Sequence, residues 1–138
     1  MADLIIKGHA GIGPAVKGEA LVAHDNFSAR YDLDRVKGVF SRPAHKLYGE
    51  NFVDKILVLN IAKGGVATAW MLHTMKQRAM APAALLLNWA NPIIAQGAAF
   101  ADFPLIDRFE EDITGQIRSG DRVRVDPASG TVTVEGRG

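Results

Sequence analysis

Between Lys55 and Gly97, two apolar runs without polar alternation bracket a helix-length segment, and this stretch most narrows what the chain can fold into. It reads Lys55-Ile-Leu-Val-Leu-Asn60, then Ile61-Ala-Lys-Gly-Gly-Val66, then a run from Ala67 to Met80. Ala83-Ala-Leu-Leu-Leu87 follows, and Asn88-Trp-Ala-Asn-Pro92 leads to Ile93-Ile-Ala-Gln-Gly97. An apolar run of strand length, a glycine turn, a helix and a second apolar run make a βαβ unit. Continuous apolar character in both strands fits parallel strands covered on both faces. The Gly64-Gly65 pair falls where strand gives way to helix, so backbone N–H groups there could face an anion.

The remaining composition is that of an ordinary globular chain. Its 138 residues are expected to form one domain spanning residues 1–138, with a core that needs no staples. Hydrophobic residues make up 48% and charged residues 22%, and the formal net charge of +1 points to neither nucleic acid nor an anionic membrane surface. Arg118, Arg122 and Arg124 fit a solvated hairpin. No apolar run approaches membrane-spanning length, and the N-terminus lacks the pattern of a signal peptide, so a cytoplasmic location is expected. Cysteine is absent, which removes disulfides, a thiol nucleophile and thiolate ligands for zinc or iron–sulfur. His9, His24, His45 and His73 are too far apart in sequence for a metal-ligand motif.

Along the chain, Leu4-Ile-Ile6 and Lys17–Ala23 read as strands, separated by a break at Gly8, Gly11, Gly13 and Pro14. A glycine-rich turn can bring a phosphate close, but between two strands it more often serves only the turn. Asp25-Asn26 and Asp32-Leu-Asp34 favour turns, with Asn26–Tyr31 extended between them. Gly38-Val-Phe40 fits a short strand and Ser41-Arg-Pro43 a bend. Arg42, His45 and Lys46 place basic groups on a loop. In the helix, Val66, Ala69, Trp70, Leu72 and Met75 cover one face, while His73, Lys76 and Gln77 fall towards water. Thr68 in its first turn can bond locally or meet a ligand. Asn91 and Pro92 form a cap and first turn for a short helix reaching Gly97. Phe103–Ile106 reads as a strand and Phe109–Ile113 as a helical turn. Val123 and Val125, then Val132 and Val134, alternate with polar residues around Pro127-Ala-Ser-Gly130, giving a C-terminal β-hairpin.

Several of these pieces, in this order, resemble a known family: Gly18-Glu-Ala-Leu-Val22, His45-Lys-Leu-Tyr-Gly-Glu50, Lys55-Ile-Leu-Val-Leu59, Lys63-Gly64, Ala81-Pro-Ala-Ala84 and Asn91-Pro-Ile-Ile-Ala-Gln-Gly97. The set is similar to the small subunit, or swivel domain, of the aconitase X family, from about Gly8 to Val134. The resemblance implies a swivelling β/β/α domain of the aconitase-like small-subunit type, with a mixed sheet. It implies a larger partner subunit whose cysteines hold an iron–sulfur cluster or metal, with no cofactor bound by this chain. Together the two subunits would form a hydro-lyase that removes water from a small hydroxy acid, a carboxylic-acid substrate such as cis-3-hydroxy-L-proline or a phosphorylated mevalonate.

One position departs from that family. The loop usually reads Gly-Arg-Gly-Ser, and the Ser is taken as proton acceptor; here it reads Ala62-Lys63-Gly64-Gly65, which puts Gly65 in place of the Ser. Glycine has no side chain to accept a proton, and Lys63 keeps positive charge without the bidentate fork of arginine. Thr68 or Lys63 could substitute, the large subunit could supply the base, or the chemistry could have changed. Two functions therefore remain open. In the first, Lys63, Gly64 and Gly65 bind a substrate anion in a shared dehydratase site, Thr68 assists, and Arg42 and His45 lie near the cleft. In the second, the chain is a non-catalytic anion-binding or regulatory module. A self-contained enzyme fits least, because no nucleophile–base pair is legible.

Overall fold

The computed structural model describes residues 3–28, 32–63 and 66–136. In chain order its elements are β1 (Leu4–Lys7), β2 (Val16–Val22), β3 (Leu33–Asp34), β4 (Val39–Phe40), β5 (Ile56–Ile61) and helix α1 (Val66–Gln77). Then come β6 (Ala84–Trp89), helix α2 (Pro92–Ala101), β7 (Leu105–Ile106), a 3₁₀ turn (Ile113–Gly115), β8 (Arg122–Asp126) and β9 (Thr131–Val134). The expected βαβ unit forms: β5 and β6 run parallel, with Ile56 opposite Ala84 and Leu59 opposite Leu87. β2 lies parallel on the other side of β5, and β7 lies parallel beside β6. The C-terminal hairpin β8–β9 also forms, and it joins β1 and β2 through antiparallel pairs. The resulting sheet has the order β1-β9-β8-β2-β5-β6-β7.

This sheet closes on itself. Past β1, Ile12 exchanges backbone hydrogen bonds of 2.9 and 3.0 Å with Leu105 in the far edge strand, and His9 N–H donates to Asp107 O at 3.1 Å. Side chains alternate across the strands as the pleat demands. Ile56, Val58, Ala84, Leu86 and Ile106 point inwards to meet Val123, Val125, Val132 and Val134, and Ile113 and Ile117 pack into the same core. Leu57, Leu59, Leu85, Leu87 and Leu105 face outwards and are buried with Leu72 and Met75 of α1 and Ile94 and Ala98 of α2. The layers are thus strand, strand and helix, the β/β/α arrangement expected.

The helices start and stop for identifiable reasons. The Asn91 side chain accepts from Ile94 N–H at 2.8 Å, and Pro92 occupies the first helical position, where it has no N–H to leave unpaired. α2 runs four residues past the expected Gly97, because the small residues Gly97, Ala98 and Ala101 are buried in the interface beneath it. α1 ends earlier than the expected Met80. Ala79 turns into the left-handed region (φ 57°), Met80 N–H bonds to Met75 O at 3.0 Å and Ala79 N–H to Lys76 O at 3.1 Å, closing a Schellman motif.

Other expectations shift for similar reasons. Trp70, expected in the core, is 57% exposed, lying edge-on to Phe100 at 5.3 Å and to His73 at 6.4 Å. Lys76 does not simply face water: its ammonium donates to Ala101 O at 2.9 Å and Asp102 O at 2.6 Å, capping the end of α2. The helical turn placed at Phe109–Ile113 forms instead at Ile113–Gly115, where Asp112 caps it. Of the extended stretch expected at Asn26–Tyr31, Phe27 forms a parallel bridge with Ala62, and residues 29–31 lie outside the described residues. β3 had no counterpart in the sequence reading, and β7 is shorter than the run Phe103–Ile106.

The break at Gly8–Gly13 is more than a turn. A Cβ on Gly11 would lie 2.0 Å from Leu105 O, a backbone atom that cannot move aside without opening the sheet. Gly11→Ala is expected to destabilise the domain by roughly 2–3 kcal/mol, the upper range for overpacking, as measured by urea unfolding.

Candidate functional site

Parallel strands present their carboxyl ends to the loops that precede the crossover helices, and ligands of open α/β sheets bind outside those ends. Here that edge is formed by the ends of β2, β5 and β6. β5 stops at Ile61, and two residues later Lys63 donates its N–H to Phe27 O at 2.7 Å, which fixes the backbone and leaves the side chain exposed. The Lys63 ammonium has no hydrogen bond or ion pair among the described residues. Gly64 and Gly65, expected to offer amides to an anion, lie outside the described residues, as does the side chain of Thr68, whose backbone is in the first turn of α1.

Arg42 and His45 are brought to the same neighbourhood through the segment that flanks Lys63. His45 is buried, stacks on Phe40 at 4.6 Å, and uses both ring nitrogens within the chain: Nε2 meets Asn26 O at 2.8 Å and Nδ1 accepts from Leu47 N–H at 3.0 Å. Those partners specify the neutral Nε2–H tautomer and leave no ring nitrogen facing outwards. Arg42 Nε donates to Asp32 Oδ1 at 2.5 Å, and Asp32 Oδ2 accepts from Ser28 N–H at 3.1 Å. The Arg42 side chain remains 40% exposed, so its guanidinium keeps an open edge. His45 thus holds the loop in place, while Arg42 and Lys63 offer positive charge to the outside.

A second group at the same end escaped the sequence reading. Asn60 and Asn88 continue the inward-facing register of β5 and β6, and Asn88 Nδ2 donates to Asn60 Oδ1 at 2.9 Å and to Asp112 Oδ1 at 2.8 Å. Asn88 Oδ1 accepts from Ile113 N–H at 2.9 Å. Asp112 also takes the Thr114 hydroxyl at 2.6 Å and the Thr114 N–H at 2.9 Å. His24, two residues past β2, places Nδ1 3.0 Å from Thr114 Oγ1 and 3.2 Å from Asp112 Oδ2. The available signal was position: a histidine just beyond the carboxyl end of a parallel strand. Beside this network the Arg108 guanidinium sits 4.5 Å over the Trp89 ring, and Trp89 and its strand partner Ile61 remain exposed.

The Thr114 hydroxyl and the Asn88 amide hold the Asp112 carboxyl below the usual carboxylate range, against a partial burial that opposes them. A lowered folded pKa makes a contribution that is complete above the unfolded value of about 3.9 and is lost as pH falls through the folded value. Asp112→Asn is therefore expected to cost about 1 kcal/mol at pH 7, an exposed-site discount on a charge-assisted bond. The gap from the parent chain should narrow in urea titrations as pH falls below the unfolded value and close once it passes the folded one.

Among the described residues no group of His, Asp and Glu could hold a metal ion, and the chain has no cysteine for a cluster. No helix among them is long and apolar enough to cross a membrane. The family model for the aconitase X swivel domain matches residues 5–134. The chain is 37% identical over 121 residues to the phosphomevalonate dehydratase small subunit of Methanococcoides burtonii, covering 88% of each chain. It is 35% identical over 130 residues to the subunit of that name from Thermococcus sibiricus, covering 94% of this chain and 98% of the other. Its fold superposes on Thermococcus kodakaraensis aconitase X with a TM-score of 0.87 at 27% identity, covering 95% of this chain and 98% of that one. With a family match over nearly all its length and the same fold in a solved relative, this chain belongs to the aconitase X swivel-domain family.

Proposed function

We propose that the chain is the small subunit of a two-component hydro-lyase that removes water from a phosphorylated 3-hydroxy acid of the phosphomevalonate type. The observation that carries this reading is the likeness to phosphomevalonate dehydratase small subunits across nearly the full length of both chains. The chemistry of the edge supports it. A substrate with a carboxylate and a phosphate carries two anionic ends and needs cations in a sheltered place. Lys63 and Arg42 supply exposed positive charge beside the start of α1, where Gly64 and Gly65 would add backbone donors. Thr68, in the first turn, would donate a hydrogen bond to the bound anion. His45 would contribute by holding the neighbouring loop.

A dehydratase site also needs help for the departing hydroxyl, and among the described residues no His, Asp and Glu group could hold a metal ion. The iron–sulfur cluster or metal that the family resemblance implies is accordingly assigned to a large-subunit partner, across the cleft from Lys63. No membrane or nucleic acid enters the reading, and the complex is placed in the cytoplasm. A second reading is favoured by Gly65, which stands where the family carries its proton-accepting Ser: the chain would bind an anion and catalyse nothing.

Co-expression with an aconitase X large subunit, followed by assays on 5-phosphomevalonate and on cis-3-hydroxy-L-proline, separates these readings. Turnover of the phosphorylated acid by the complex is expected. Turnover of hydroxyproline alone would move the substrate, and tight carboxylate binding by the single chain with no turnover in any complex would favour the module. Lys63→Ala should raise KM for the phosphorylated acid by about 10- to 100-fold, the value of one charge-assisted contact.

A further inference from the structure

We infer that His24, oriented by Asp112 and Thr114, is the proton-accepting base that this chain uses where Gly65 has replaced the family's serine. The inference rests on the dehydratase reading above and names a residue for it. Three observations meet at His24. The first is its tautomer. The Thr114 hydroxyl spends its hydrogen on Asp112 Oδ1 at 2.6 Å, so its oxygen is left to accept, and Asp112 Oδ2 can only accept. His24 Nδ1, 3.0 Å from Thr114 Oγ1 and 3.2 Å from Asp112 Oδ2, must therefore carry the proton of the neutral ring. Nε2 is then the unprotonated nitrogen, the atom a base needs, and it has no partner among the described residues.

The second observation is exposure. The His24 side chain is 59% open, unlike His45, whose nitrogens are both consumed internally. A nitrogen held by a carboxylate on one side and open on the other is the base–orienter arrangement that general-base sites require. The third is place. Val22 pairs with Val58, and the chain beyond it keeps alongside β5, with Asn60 N–H donating to Asp25 O at 2.7 Å and Lys63 N–H to Phe27 O at 2.7 Å. His24 thus lies beside Asn60, three residues before Lys63, or about 10 Å along a strand.

The step balances within the substrate. Nε2 takes the proton from the carbon next to the carboxylate, and the C–H electron pair becomes the second bond of the new C=C. The C–O bond breaks with its electron pair on the hydroxyl oxygen. The captured proton and the departing hydroxide together make the one water released. The charged groups beside His24 are the Asp112 carboxylate and the Lys46 ammonium, which donates to His24 O at 2.9 Å; Asp25 follows in the chain.

The test uses the assembled two-subunit enzyme with 5-phosphomevalonate. His24→Gln is expected to lower kcat by 10²–10³, the usual weight of a positioned base, with KM changed less than threefold. It should also abolish deuterium wash-in from D₂O at the carbon beside the carboxylate. Added imidazole should restore part of the rate to His24→Ala. Asp112→Asn should lower kcat with KM little changed, because an amide no longer fixes the proton on His24 Nδ1. If the parent complex is active and His24→Gln keeps its kcat and isotope wash-in, His24 is not the base, while the dehydratase reading stands. Loss of activity together with loss of subunit assembly would make His24 an interface residue and overturn the assignment. A parent complex that dehydrates nothing would overturn the function and the base with it.

Discussion

Ile12 and Leu105 exchange a pair of backbone hydrogen bonds, and the rest of the fold depends on that exchange. Without it, β1 and β7 would each expose an edge of unpaired amides, and the valines and isoleucines of the hairpin would have nothing to enclose. With it, one sheet becomes the wall of a dry interior, and the outward leucines of β5 and β6 are free to seat two helices. The exchange needs a chain segment with almost no side-chain bulk, since Leu105 O lies where a Cβ of Gly11 would be. The glycine-rich stretch near the N-terminus is therefore a seam, and its composition answers to the distant backbone of Leu105 rather than to a phosphate.

The same pleat that packs the interior also builds the polar end. Positions 56, 58 and 60 share one face of β5, and 84, 86 and 88 share one face of β6. Where the barrel is closed these faces carry Ile, Val, Ala and Leu; where it opens they carry two asparagines that bond to each other and to Asp112. Amides there satisfy one another and the cap of the 3₁₀ turn, so no buried donor is orphaned at the transition. One strand register thus supplies both the hydrophobic filling and the rigid polar floor on which His24 and Thr114 stand.

The central crossover, the hairpin and the capped second helix were legible because each rests on local chemistry: unbroken apolar runs, alternating valines, and Asn91-Pro92. What sequence did not disclose depends on distant partners. Trp70 looked like core from helical spacing, yet α2 arrives at an angle that pairs it with Phe100 at the surface. His45 looked like a loop ligand, yet the backbone of Asn26 claims its outer nitrogen. Asn88 and Asp112 are 24 residues apart and His24 and Thr114 are 90 apart, and only the closed sheet assembles them. Lys63 could be singled out as a candidate from sequence because a cation beside a strand-to-helix glycine pair is a local signature.

Lys76 reaches from α1 to the final carbonyls of α2 and binds both with one ammonium. That bond ties the carboxyl ends of the two helices to each other, in addition to the packing of Leu72 and Met75 in the same core as Ile94 and Ala98. Displacing the end of α1 would therefore also uncap α2.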